Sequence, residues 1–250
     1  MTRVERYLRD TRRAVYSCLF VVPLFIVYEI LALSLQAFQI TNLRNGADIM
    51  MRNIAGFVGL DRFPILVVLI LIGLGVTAGY HQKKDRVEIH PTWFLLMILE
   101  SCVYALILGS VALSATNFFL TIPHVFTLSQ TTFSTDFFIS LMLSLGAGIH
   151  EELVFRLILI EASLYVGHSW FKDSPLNLDY RNAAIALIIS SLLFSIFHYV
   201  GPYGDVFDMD SFVFRTVSGV YLAFLYLARG FGIAAWTHAL YDVFLLTGIL

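Results

Sequence analysis

Long apolar runs decide what this chain can fold into. Residues 14–38, 63–80, 92–115, 137–167, 182–200, 211–228 and 233–250 are each dominated by aliphatic and aromatic side chains. About twenty such residues in a helix cross the hydrocarbon core of a bilayer, and a helix satisfies its own backbone hydrogen bonds there. The runs are continuous rather than alternating, which points to helices and not to barrel strands. Only 14% of residues are charged, against about a quarter in a soluble domain. The expected fold is therefore all-α: a polytopic transmembrane helical bundle of about seven spans. Residues 1–136 supply three spans and an interfacial amphipathic segment. Residues 137–250 supply the helices that carry the chemistry, within one integral membrane domain. The apolar runs make the lipid bilayer the expected partner, and the net charge of −2 speaks against nucleic acid.

Basic residues set the orientation. The N-terminal side of this layout holds eleven, Arg3, Arg6, Arg9, Arg12, Arg13, Lys83, Lys84, Arg86, Lys172, Arg181 and Arg229. The other side holds four, Arg44, Arg52, Arg62 and Arg215. Basic loops stay on the cytoplasmic side, so a plasma (inner) membrane protein with a cytoplasmic N-terminus is expected. The first run is longer than a signal-peptide core of roughly 7–15 residues and reads as a span, with Glu29 near its end facing protein or water. Residues 41–62 carry Ile49, Met50, Ile54, Phe57 and Val58 at helical spacing, which suggests an amphipathic helix or a loop resting on the membrane. Gly73, Gly75 and Gly79 read as close-packing points. Glu100, inside the third run, pairs with Arg156, lines a cavity or ties helices together. Cys18 and Cys102 lie in apolar runs and read as small buried hydrophobes, not as a disulfide.

Three later runs carry groups that do not belong in hydrocarbon. One holds Glu151, Glu152 and Arg156, the next His198, the last His238 and Asp242. An ionisable group in a bilayer costs several kcal/mol unless paired or hydrated, which makes an intramembrane cluster a functional-site hypothesis. Glu152 and Arg156 are four apart, on one helix face, with the acid first, the favourable order for a pair. Glu151 is rotated about 100° away and has no cation in its own turn. His238 and Asp242 are also four apart, so the carboxylate can orient the imidazole. This equipment suits hydrolysis: Glu151 as general base on a water, His198 sharing the proton, His238 facing a developing oxyanion. Catalytic zinc held by His198, His238 and Glu151 or Asp242 is the rival chemistry. The HExxH motif is absent, since Val154 stands where its second His belongs.

The three motifs Glu151-Glu152-Leu153-Val154-Phe155-Arg156, Phe194 to His198 and His238 to Asp242 resemble, in this order, those of the CPBP family of intramembrane proteases. That family comprises the CAAX prenyl endopeptidases and bacteriocin-processing or immunity proteins. The resemblance covers residues 137–250. It implies a glutamate-activated, metal-free intramembrane endopeptidase with Glu151 as catalytic Glu, His198 as its partner and His238 on the oxyanion side. Glu152 and Arg156 would be supporting residues. Position 242 departs from the endopeptidase pattern, which has Asn there. An ionised Asp only accepts hydrogen bonds, so Asp242 orients His238 or donates in its protonated form.

The expected function is hydrolysis of a peptide bond in a membrane-tethered or secreted peptide or protein, with no cofactor. The alternatives are a zinc-dependent version, a non-catalytic immunity or partner-binding protein, and a proton-coupled transporter. Against the transporter stands the lack of an inverted repeat. Straight helices would put His198 and His238 at different depths. Tilted or interrupted helices around an intramembrane polar cavity are therefore expected, helped by Gly146, Gly148 and the pair Gly201-Pro202.

Overall fold

The computed structural model describes residues 2–57, 59–60, 65–120, 135–170, 178–201 and 204–250. Val58, Arg62, Phe63, Lys172 and Pro202, named above, lie outside them. All regular structure among the described residues is helical. A short α1 (Arg3–Thr11) begins with a capping box between Thr2 and Glu5. It leads into α2 (Ala14–Ala37), α3 (Gly46–Gly56), α4 (Ile65–Asp85) and α5 (Pro91–Leu120). The next helix runs as α6 (Thr135–Gly146), two π-helical turns (Ala147–Glu151 and Leu153–Ile158) and α7 (Leu159–Trp170). Then follow α8 (Leu178–Phe197), α9 (Met209–Arg229) and α10 (Phe231–Thr247).

Among the described residues, six helices are long and apolar enough to cross a membrane. The seventh expected span, α10, is apolar but only 17 residues long, about 25 Å at 1.5 Å per residue. Its place explains its length. It packs on α2, α5, α6 and α9, and Ile233, Ala234 and Ala235 are fully buried. It is therefore the hub of the bundle, sheathed by protein on most of its surface.

Charge is managed by pairing. Glu29 on α2 and Asp48 on α3 both bind Arg44 and Arg52, at 2.7–3.2 Å, and the Tyr28 hydroxyl donates to Asp48 at 2.7 Å. Helix α3 thus turns its polar side into the protein and leaves Ile54 and Phe57 exposed, the sense expected where the surroundings are apolar. Burial pushes the Asp48 carboxyl up, but His150, Arg52, Arg44 and Tyr28 outweigh it and hold the group below its ordinary value. Glu100 binds Arg229 at the end of α9, not Arg156. Arg229 also donates to the Leu8 carbonyl and the Thr11 hydroxyl, which ties α1 down. Gly73, Gly75 and Gly79 correct the sequence reading. A Cβ on any of them would meet nothing within 4 Å, because α4 packs chiefly on α2 and these positions face away. Both cysteines are free, Cys18 buried and Cys102 partly so.

Candidate active site

The interruption after α6 positions the carboxylates. Its two π turns run from Ala147 to Ile158 with only Glu152 between them. A π turn adds a residue to the helical circuit and re-aims the side chains that follow, a device common at functional sites. Gly148 lets this segment lie against α10: a Cβ there would come within 2.5 Å of the Ala235 carbonyl oxygen and 2.7 Å of the Ala239 nitrogen. Gly146 does the same on the opposite flank, where a Cβ would lie 2.6 Å from the Tyr28 ring and 2.9 Å from Asn45 Cβ. The two glycines singled out in the sequence are the points of closest approach, and the interrupted helix is present.

Glu151 is buried, and its Oε2 lies 3.8 Å from His198 Nε2 and 4.0 Å from His238 Nε2. These gaps exceed a direct hydrogen bond but lie within reach of one bridging water. His198 sits in the turn that follows α8, and its Nδ1 lies 2.9 Å from the Phe194 carbonyl oxygen. A carbonyl only accepts, so Nδ1 carries a proton and Nε2 is the nitrogen that faces Glu151. The FxxxH spacing thus sets the tautomer: one helical turn puts the carbonyl of the first residue beside the imidazole of the fifth.

His238 is oriented from another helix. Its Nδ1 lies 2.8 Å from Glu152 Oε1, and the same oxygen is 3.2 Å from Arg156 Nη1. Asp242 does not hold Nδ1; its Oδ2 is 3.8 Å from Nε2, on the reacting side of the ring. The i, i+4 spacing correctly placed Asp242 beside His238 but could not reveal that Glu152, 86 residues away, reaches the other nitrogen first. Arg156 is completely buried. It lies over the Phe194 ring at 4.4 Å and donates to the Gly219 carbonyl at 3.3 Å, so its charge is spread over Glu152, a π face and a backbone oxygen.

Two cavities meet at this cluster. One, of about 690 Å³, is walled by Leu108, Phe194, Phe214, Leu222 and Leu245. The other, of about 890 Å³, is lined by Arg44, Asn45, Ile49, Asn53 and Leu143. Ala147, Glu151, His198 and Asp242 line both, and His238 lines the first. The His198 and Asp242 side chains are 25% and 28% exposed against 7% for Glu151, so they are the wet members of the set.

Sequence reasoning missed Asn45, whose Nδ2 donates to Glu151 Oε1 at 2.9 Å. It also missed that His150 is buried, with Nδ1 against the Gly146 carbonyl oxygen at 3.0 Å and Nε2 3.9 Å from Asp48. One signal was available: Arg44, Asp48 and Arg52 repeat every four residues, which makes a charged helix face in need of a partner such as Glu29. Among the described residues, the group whose metal-ligating atoms lie within 4.8 Å of one another is Glu29, Asp48 and His150. Both carboxylates there are already neutralised by two guanidinium groups.

A family model described as type II CAAX prenyl endopeptidase Rce1-like matches residues 133–244. That span runs from the residues before α6 into α10 and contains all three motifs. No curated protein and no solved structure matches the chain.

Proposed function

We propose that this chain, whose residues 133–244 match the Rce1-like CAAX endopeptidase family model, is a CPBP-type intramembrane endopeptidase whose water is activated by Glu151. One observation carries the reading. A buried carboxylate oxygen with no hydrogen-bond partner, Glu151 Oε2, faces two imidazole nitrogens at 3.8 and 4.0 Å where two cavities meet. A water bridging Oε2 and His198 Nε2 loses its proton to the carboxylate as it attacks the scissile carbonyl. His198 steadies that water through its Nε2 lone pair. His238, as the imidazolium with Glu152 as counter-ion, donates through Nε2 to the oxyanion. The proton on Glu151 then passes to the leaving amine. Asp242 lies beside that donor and balances its charge. Glu152 and Arg156 hold His238 in place.

The reading uses no metal. Its support is that Glu151, His198 and His238 are not among the groups that bring three ligand atoms within 4.8 Å of one another. The substrate is a membrane-tethered or secreted peptide. The first cavity suits an apolar segment such as a prenyl group, and the second, with Arg44, Asn45 and Asn53, suits peptide backbone. Eleven basic residues against four support a plasma (inner) membrane protein with its N-terminus in the cytoplasm.

The test is cleavage of quenched fluorescent peptides in liposomes, one farnesylated near its C-terminus and one not. Glu151→Gln, His198→Ala and His238→Ala are compared with the parent. Each loses about 10²–10⁴-fold in rate, the size of an acid–base contribution, and chelators change nothing. Equal cleavage by all four proteins overturns the reading. Activity lost to a chelator and restored by zinc replaces it with the metal-dependent version.

A further inference from the structure

Asn45 stands 106 residues before Glu151, outside the matched span. It is 7% exposed and makes two hydrogen bonds with opposite senses. Its Oδ1 accepts from the Ala47 N–H at 2.9 Å, as the N-cap of α3. That bond settles the orientation of the amide, because a backbone N–H only donates. Nδ2 is therefore the group that faces Glu151, and it donates to Oε1 at 2.9 Å.

The donor is firmly held. Arg44, next to it, is bound to Glu29 and Asp48. Asp48 is bound in turn by Arg52 and by the Tyr28 hydroxyl. The first turn of α3 is thereby clamped to α2 and to the π turn that carries Glu151. Among the described residues, no other hydrogen bond reaches the Glu151 side chain.

We propose that Asn45 is a positioning residue for catalysis: it occupies Oε1 of Glu151, so that Oε2 alone takes the proton from water and returns it to the leaving amine. An amide N–H has no lone pair to offer, so a proton on Oε1 would meet a donor. The proton taken from water must sit on Oε2, the oxygen that faces His198 and His238. Without Asn45 the carboxylate rotates freely and its two oxygens become equivalent, so the proton is held on the wrong side in part of the population. The N-terminal helices thus contribute to the site through one amide. The inference rests on the reading of Glu151 as the base.

Ser and Asp cap helices about as well as Asn, and Ala does not. Asn45→Ser therefore keeps the cap and draws the donor back by one bond from Glu151 Oε1, Asn45→Asp keeps the cap and sets a carboxylate there instead of the donor, and Asn45→Ala removes both cap and donor. The liposome assay should show kcat about 10²-fold lower in all three, with KM within about twofold of the parent, the pattern of an interaction made in the transition state. Melting should be unchanged for the Ser variant and lowered for Ala, which loses the cap, and for Asp, which buries a second carboxylate against Glu151. Parental kcat in the Ser and Asp variants would reduce Asn45 to a helix cap and overturn the proposal.

A second readout needs no turnover. The infrared band lost on Glu151→Gln marks the Glu151 carboxyl group, and it should shift in Asn45→Ser. An unshifted band overturns the contact. If the parent cleaves neither peptide, the protease reading fails by itself, while the infrared arm still decides whether Asn45 holds Glu151.

Discussion

Arg156 is the group whose loss the bundle should feel most. Replacing it by Met keeps the long apolar stem and leaves little cavity. What disappears is a buried guanidinium 3.2 Å from Glu152 Oε1, 4.4 Å from the Phe194 ring centre and bonded to the Gly219 carbonyl at 3.3 Å. Removing one partner of a buried pair costs roughly 3–5 kcal/mol, because the other charge is left uncompensated. Here Glu152 keeps one partner, His238 Nδ1 at 2.8 Å, which puts Arg156→Met at the lower end, about 3 kcal/mol. That is roughly a 150-fold fall in the folded-to-unfolded ratio. The double variant Glu152→Gln/Arg156→Met carries neither charge, and its Gln still accepts from His238. It should recover to within about 1 kcal/mol of the parent, since a buried pair replaced as a whole is often neutral.

The protein carries its own reporter. Cys18 is buried and free, so with the partly exposed Cys102 replaced by Ser a thiol-reactive dye follows unfolding in mixed detergent micelles. A third variant, Glu152→Leu/Arg156→Met, should be inactive and about 1–3 kcal/mol less stable than the other double variant, because the buried His238 Nδ1 loses its acceptor. A single variant that costs under about 1 kcal/mol refutes the reasoning, since a group this buried and this paired should cost several times that. So does a Glu152→Gln/Arg156→Met variant that falls as far as the single one.

Gly148→Ala tests the close approach between the π turns and α10. The added Cβ would lie 2.5 Å from the Ala235 carbonyl oxygen and 2.6 Å from Ala239 Cβ, and backbone atoms cannot step aside. Folded yield should collapse, or melting fall by the several degrees that about 2–3 kcal/mol of overpacking implies; parental melting would show that the two elements do not touch. Arg229→Ala leaves the partly buried Glu100 with the Tyr7 hydroxyl in place of its cation and releases α1. Stability should drop by about 3 kcal/mol, with cleavage per folded molecule unchanged, as measured by dye melting and active-protein titration.

The sequence shows the fold class plainly because a bilayer punishes every unpaired backbone group, so long apolar runs have one solution. The three polar motifs are equally legible, since each is a short repeat on one helix. Partners across helices are another matter. Periodicity points His238 at Asp242, four residues on, whereas the nearest acid to its Nδ1 comes from a different helix. Nothing local marks Asn45, because its meaning depends on α3 being turned polar side inward against Glu29. Gly73, Gly75 and Gly79 mislead for the same reason: small residues permit close packing but do not say which helix arrives.

The two buried charge clusters differ in what balances them. Glu29 and Asp48 face Arg44 and Arg52, two acids against two permanent cations. The acids and permanent cations of that cluster balance without a shared proton, which suits a clamp. Glu151, Glu152 and Asp242 face a single permanent cation, Arg156, together with His198 and His238. Neutrality there requires two further protons shared among imidazoles and carboxylates, because stray charge is costly in such surroundings. A cluster balanced by protons changes its charge distribution whenever one of them moves. Glu152 and Arg156 fix one fully buried end of the set. Glu151, His198, His238 and Asp242 share the mobile protons at the end that opens into the cavities. That division of labour is what a general base needs: one proton can shift from water to carboxylate to leaving group while the net charge of the site stays the same.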